Sequence, residues 1–326
     1  MNTIETVRYA PAKEYIKDHC FFRYAGLWHF FSISGTRGCS WLDVGSEEAI
    51  SHSTSPDLVH WTFQGHPVQA SQHEGYGDEH MAVAPFVVRG GDDRFYMFYS
   101  GWRHPNKKPN FSLDGHHQCI YLAVSNDLYE WRIPESVAFG GINVVEGEPI
   151  VGRDPHVLRD EENGRWLLYY TQEYMGKRPQ AIGVAVSSDL MNWRHLKPAL
   201  VWAGPRRPFS PCESPFVLRH PRTGKYILLL NWDYAVSDSP LQFAETQPLP
   251  FPSGLDYPPG AVAGSGEGWE AVGVGFAREV IEFEDKKYFS GVFGKDGEMK
   301  LGFTRFEWTD DFLQLAEYNV MRNPLK

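Results

Sequence analysis

STSPDLVHW at 53–61, AVSNDLYEW at 123–131 and AVSSDLMNW at 185–193 all fit the pattern S-x-D-L-x-x-W. A degenerate fourth copy, AVSDSPLQF at 235–243, ends in Phe where the others have Trp. A pattern that returns roughly every 60–70 residues marks a repeated supersecondary unit. Ser and Asp at its front suit a turn, because their side chains hydrogen-bond nearby backbone groups. Leu and Trp behind them suit packing between layers. The motif therefore reads as architecture rather than chemistry.

A second unit recurs around it: a short apolar strand, a polar turn and an aromatic strand. The copies are CFFRYAGLWHFFSIS (20–34), PFVVRGGDDRFYMFYS (85–100), PHVLRDEENGRWLLYYT (155–171) and PFVLRHPRTGKYILLLN (215–231). A weaker fifth is EVIEFEDKKYFSGVF (279–293). Each predicts a β-hairpin with Gly, Asp or Asn at the turn. A hairpin, a third strand running into S-x-D-L-x-x-W and a short outer strand make one four-stranded antiparallel blade. Five such blades, repeated radially, predict an all-β, five-bladed β-propeller filling 1–326 as a single domain. Two stacked sandwiches are the structural alternative, but they predict no such repeat.

Composition agrees. Of the 326 residues, 42% are hydrophobic and 22% charged, enough for a packed core. The 31 Gly and 23 Pro suit many turns. A net charge of −10 argues against a nucleic-acid or anionic-membrane partner, which would need a basic face. Cys20, Cys39, Cys119 and Cys212 form no C-x-x-C pair, so neither a zinc knuckle nor a redox motif is expected. With no signal-peptide core in 1–19 and no long apolar run, a cytoplasmic location is expected.

Acids stand at the starts of three innermost strands: Lys17-Asp18-His19, Gly152-Arg153-Asp154-Pro155 and Pro211-Cys212-Glu213-Ser214-Pro215. In a propeller these strands line the central channel, so Asp18, Asp154 and Glu213 should converge at one mouth. Crowded carboxyls push each other's pKa values apart, which separates an acid from a base. The second strands return to the same mouth. There Trp102 and Trp232 could stack on a sugar ring, and Arg103, Gln172, Glu173 and Asn231 could bind its hydroxyls. His80, just before the innermost strand of blade two, should point in as well.

An Asp before the first hairpin, R-D-P-H-V at 153–157 and E-S-P-F-V at 213–217 resemble the five-bladed β-propeller glycoside hydrolases of families 43 and 62. More distantly, they resemble the fructosidase-type families 32 and 68. The resemblance implies that Asp18 is the general base of an inverting enzyme or the nucleophile of a retaining one. It implies that Asp154 orients the sugar and tunes its neighbour, and that Glu213 is the general acid. Lys-Asp-His-Cys stands where fructosidases carry Asn-Asp-Pro-Asn, and Cys212 precedes Glu213 instead of following it. Both departures favour a family-43-like enzyme.

The expected activity is hydrolysis of a small arabinofuranoside or xyloside, with inversion, on an oligosaccharide or glycoside partner. A glycoside phosphorylase, with Arg103, Arg206 and Arg207 as phosphate donors, and a non-catalytic sugar-binding propeller are the competing readings. No cofactor is required, although the family-43 resemblance leaves room for a structural Ca²⁺ beside a histidine in the channel.

Overall fold

The computed structural model describes residues 3–40, 43, 45–71, 80–103, 117–135, 142–146, 150, 152–174, 177–202, 212–249, 277–294, 297–310 and 312–315. Blade one comprises β1 (Glu14–Tyr24), β2 (Leu27–Thr36), β3 (Ala49–Ser55) and β4 (Thr62–Gln69). Blade two comprises β5 (Met81–Arg89), β6 (Phe95–Arg103), β7 (His117–Ser125) and β8 (Trp131–Arg132). The chain then forms β9 (Asn143–Glu146) before blade three, which holds β10 (Gly152–Asp160), β11 (Arg165–Tyr174), β12 (Lys177–Ser187), β13 (Asn192–His195) and β14 (Leu200–Val201). Blade four is β15 (Phe216–Arg219), β16 (Tyr226–Leu229), β17 (Asp233–Ser237) and β18 (Gln247–Pro248). Blade five is β19 (Val280–Phe283), β20 (Lys286–Phe293), β21 (Lys300–Trp308) and β22 (Leu313–Leu315).

Each blade is an antiparallel meander, and all five predicted hairpins form. Blade three departs from the four-stranded plan. β9 adds to the outside of β13 in parallel, and β14 pairs with β12.

The apolar faces explain the ring. Blades one and two share a core around Phe31, Ile50, Val87 and Tyr99. Blades two and three meet around Phe98, Leu122, Leu168 and Trp193. Blades three and four share Tyr169, Val184, Leu228 and Phe243. Blades four and five share Ile227, Leu229, Phe289 and Phe306. Tyr15, Phe30, Tyr288 and Phe303 then join blade one to blade five. Among the described residues, every blade thus buries apolar side chains against two neighbours. The N-terminal segment adds to the closure, since Tyr9 exchanges backbone hydrogen bonds with Leu301 of β21.

The S-x-D-L-x-x-W turns are local devices. In the first, Asp57 Oδ1 accepts the backbone N–H groups of Val59 and His60, at 2.9 and 2.8 Å. The Trp61 indole N–H donates to the Leu58 carbonyl at 3.1 Å. Asp127 and Trp131, and Asp189 and Trp193, repeat this arrangement. Leu58, Leu128 and Leu190 adopt φ of 62°, 73° and 66° and are buried. Left-handed backbone costs a leucine roughly 1–2 kcal/mol, which its burial offsets. In the fourth copy Ser239 takes the Asp place and, among the described residues, accepts from Leu241 N–H alone.

Candidate active site

The channel mouth is built from kinks. The innermost strands of blades one, two and three lose register with their partners between Ile16 and His19, Val83 and Phe86, and Arg153 and His156. Such bulges re-aim side chains, and they are common beside active sites. A non-glycine residue takes left-handed backbone at the kinks of blades two and three and just before the innermost strands of blades four and five: Ala84, Asp154, Ser214 and Ala277, with φ between 50° and 55°. Three of these precede a proline. Proline has no N–H to leave unpaired where the ladder breaks. With Asp18 of blade one, these residues line a depression whose empty space, open mouth included, is about 340 Å³.

The three acids meet through one residue. The Ser214 hydroxyl donates to Asp18 Oδ1 at 3.0 Å, and the Ser214 backbone N–H donates to Asp154 Oδ2 at 3.2 Å. Glu213 is the residue before it. Arg153 donates to Glu213 Oε1 at 2.6 Å and lies 3.4 Å from Asp154 Oδ2. Gln118 Oε1 accepts from the same guanidinium at 3.3 Å. Asp154 is further held by the Thr171 hydroxyl at 3.0 Å, and its own N–H donates to Ser100 at 2.9 Å. Asp18 lies within β1 and Asp154 at the third position of β10, whereas Glu213 precedes β15.

The electrostatics follow from this crowding. Burial, with Asp18 and Glu213 alongside, pushes the Asp154 carboxyl up to about 7 despite the opposing charge of Arg153. The sequence expectation had Asp154 acting on its neighbour; in the structure Asp154 is itself shifted. Burial would pull the Lys17 ammonium down, but Glu47, Asp18 and Glu213 together hold it above its usual range. Its Nζ lies 3.3 Å from Glu47, whose Oε1 also accepts from the Tyr15 hydroxyl. Burial raises Glu279, which also lines the depression, to about 8, even though Phe21 N–H donates to it.

The other anticipated residues divide. Asn231 contacts Glu213 directly, with Nδ2 3.5 Å from Oε2. Trp232 is partly buried, and the Arg278 guanidinium lies 5.9 Å from its ring centroid. Trp102 and His80 are partly buried, and His80 N–H donates to the Trp102 carbonyl at 2.9 Å. The kink equivalent to Asp154 falls at Ala84, so His80 stands upstream of the channel and is not among the residues lining the depression. Gln172 pairs with Gly152, and its Oε1 is buried without a hydrogen-bond partner among the described residues. The side chains of Arg103 and Glu173, and the whole of Arg206 and Arg207, lie outside the described residues.

Ser214, Arg153 and Thr171 went unassigned from sequence. The first two were legible as immediate neighbours of Glu213 and Asp154. Among the described residues no three His, Cys, Asp or Glu side chains are placed to share a metal ion. His19 and His156 line the depression, but each presents nitrogen, while Ca²⁺ takes oxygen ligands. Their Nε2 atoms pair with Ser290 Oγ and the Val217 carbonyl.

Known proteins share this fold. The family model described as "Glycosyl hydrolases family 32 N-terminal domain" matches residues 9–200. No curated protein matches the sequence. Among solved structures, the Bombyx mori GH32 beta-fructofuranosidase BmSUC1 is 17% identical with a TM-score of 0.66. That match covers 96% of this chain but 64% of the other, so the chain spans just under two thirds of that enzyme's length. A GH43_1 enzyme from Xanthomonas citri complexed with xylotriose is 16% identical, with a TM-score of 0.61 and 96% and 93% coverage. A thermostable family-43 glycoside hydrolase is 17% identical, with a TM-score of 0.62 and 94% coverage of both chains. Neighbours from both branches share the five-bladed fold, as the sequence resemblance implied. The family model matches the branch that the departures around Asp18 and Glu213 had ranked second. Because that match spans more than half of the chain, the protein belongs to the family of glycosyl hydrolase family 32 N-terminal domains.

Proposed function

We propose that this chain hydrolyses a small glycoside by carboxyl acid–base catalysis at the channel mouth. The observation that supports this reading is the meeting of Asp18, Asp154 and Glu213, from three blades, around Ser214. Glycoside cleavage needs a protonated carboxyl at the leaving oxygen and an ionised one across the ring. Glu213 is the acid, and the Arg153 guanidinium stabilises the carboxylate left after proton transfer. Asp18 faces the ring carbon, held by the Ser214 hydroxyl. Asp154 keeps its proton up to about pH 7. Its Oδ2 already accepts from Thr171 and Ser214, so that proton sits on Oδ1 and can donate to a sugar hydroxyl.

The substrate is an arabinofuranoside or xyloside, hydrolysed with inversion by an Asp18-activated water. A specific observation favours a second reading: the family 32 match and the beta-fructofuranosidase neighbour support a fructofuranoside, with Asp18 as nucleophile and net retention. A panel of aryl furanosides and pyranosides, together with sucrose, tests both. NMR of the first-formed anomer separates inversion from retention. Absence of turnover across the panel would overturn the hydrolase reading.

A further inference from the structure

Asn231 was expected among the hydroxyl contacts, but its amide is engaged inside the protein. Ala277 N–H donates to Asn231 Oδ1 at 2.9 Å. A backbone N–H can only donate, so this contact fixes which end of the amide is oxygen. The amino end is thereby turned to Glu213, with Nδ2 3.5 Å from Oε2. The backbone repeats the link, as Asn231 N–H donates to the Glu213 carbonyl at 3.3 Å. Arg278, buried beside Ala277, donates to the Asn231 carbonyl. Asn231 itself is 8% exposed.

We infer that Asn231 is a positioning residue through which blade five aims the Glu213 carboxyl. Ala277 and Arg278 stand just before β19 of blade five, Asn231 follows β16 of blade four, and Glu213 precedes β15. Arg153 holds Oε1 from blade three, so the carboxyl is gripped from both sides. Both grips are donors. They strengthen as Glu213 gives its proton to the leaving oxygen and becomes a carboxylate, so Asn231 acts on the step in which the glycosidic bond breaks. A long contact in the free enzyme is expected to tighten there. Bonds whose leaving group needs protonation should therefore depend on Asn231, and bonds that break without it should not.

This inference rests on the proposed role of Glu213, and one experiment separates the two. Wild type, N231A, N231D and E213Q are assayed on phenyl and dinitrophenyl glycosides of a sugar that the wild type cleaves. The phenyl leaving group needs the acid; the dinitrophenyl group does not. N231A should lose about tenfold or more in kcat on the phenyl glycoside, with KM nearly unchanged, and about twofold or less on the dinitrophenyl glycoside. N231D is isosteric and keeps an acceptor for Ala277, so it guards against misfolding. It sets a carboxyl against Glu213 Oε2, so the alkaline limb of its phenyl-to-dinitrophenyl rate ratio, in which the ionisation of Asp154 cancels, should move up by about one unit. Equal losses of N231A on both glycosides, a rise in KM alone, or an unmoved limb in N231D would overturn the inference while leaving Glu213 in place. Equal phenyl turnover by E213Q and wild type would overturn the role of Glu213, and the inference with it.

Discussion

In the outer turns, Asp57, Asp127 and Asp189 bind backbone N–H groups two and three residues further on. At the mouth, Ser214 reaches Asp18 across 196 residues, and Arg153 reaches Glu213 across 60. The residue types are the same, and the outcomes are opposite. Burial works against Asp57, but hydrogen bonds from His60, Val59 and Ser55 hold it down at about 2. Asp154 is pushed up to about 7 by burial and by like charges from other blades. An acid satisfied within its own turn stays ionised and makes structure. An acid whose neighbours arrive from distant segments takes a perturbed pKa, which is the property that acid–base chemistry uses.

That contrast can be broken from either side. The largest effect should come from Asp18→Asn: turnover falls by roughly 10²–10⁴-fold while thermal unfolding is nearly unchanged. An active variant would remove Asp18 from the chemistry. Asp127→Ala should do the reverse. It strips acceptors from Tyr129 and Glu130 N–H and costs about 1–2 kcal/mol of stability, with kcat per folded molecule preserved. Denaturant unfolding alongside active-site-normalised kinetics checks both halves.

Glu279 tests the mouth as a stability element. Its folded pKa of about 8 lies above the ordinary carboxyl value of 4.5. The folded state therefore binds the extra proton between those values, and its contribution to stability is lost as pH rises through about 8. Glu279→Gln keeps an acceptor for Phe21 N–H but cannot ionise. Its melting temperature relative to wild type should climb by roughly 5–7 °C between pH 5 and 9. A constant difference would show that the carboxyl does not hold its proton. The smallest effect is a gain. Ser239→Asp restores the acceptor missing from the fourth turn and should add about 0.5 kcal/mol, read as a small rise in denaturation midpoint.

What the sequence disclosed follows the same division. The hairpins and the S-x-D-L-x-x-W turns depend on neighbours a few residues away, so their residues announce them. Asp18, Asp154 and Glu213 were recoverable because the repeat supplied a frame on which to overlay them. His80 precedes the first strand of blade two and stands before the kink at Ala84. The Ala84-Pro85, Asp154-Pro155 and Ser214-Pro215 pairs mark the kinks and would have put Ala84 in the channel. Arg278 over Trp232, Asn231 turned inward and β9 lying parallel to β13 all arise between segments far apart in the chain. No local pattern encodes such contacts.

In the mechanism we propose, acids gathered from separate blades cleave a glycosidic bond with Glu213 as proton donor. Glu213→Gln, compared with wild type on the phenyl glycoside of the preferred sugar, tests it most directly. If Glu213 donates the proton, kcat falls by roughly 10²–10⁴-fold with the fold intact. Turnover within about twofold of wild type would contradict it.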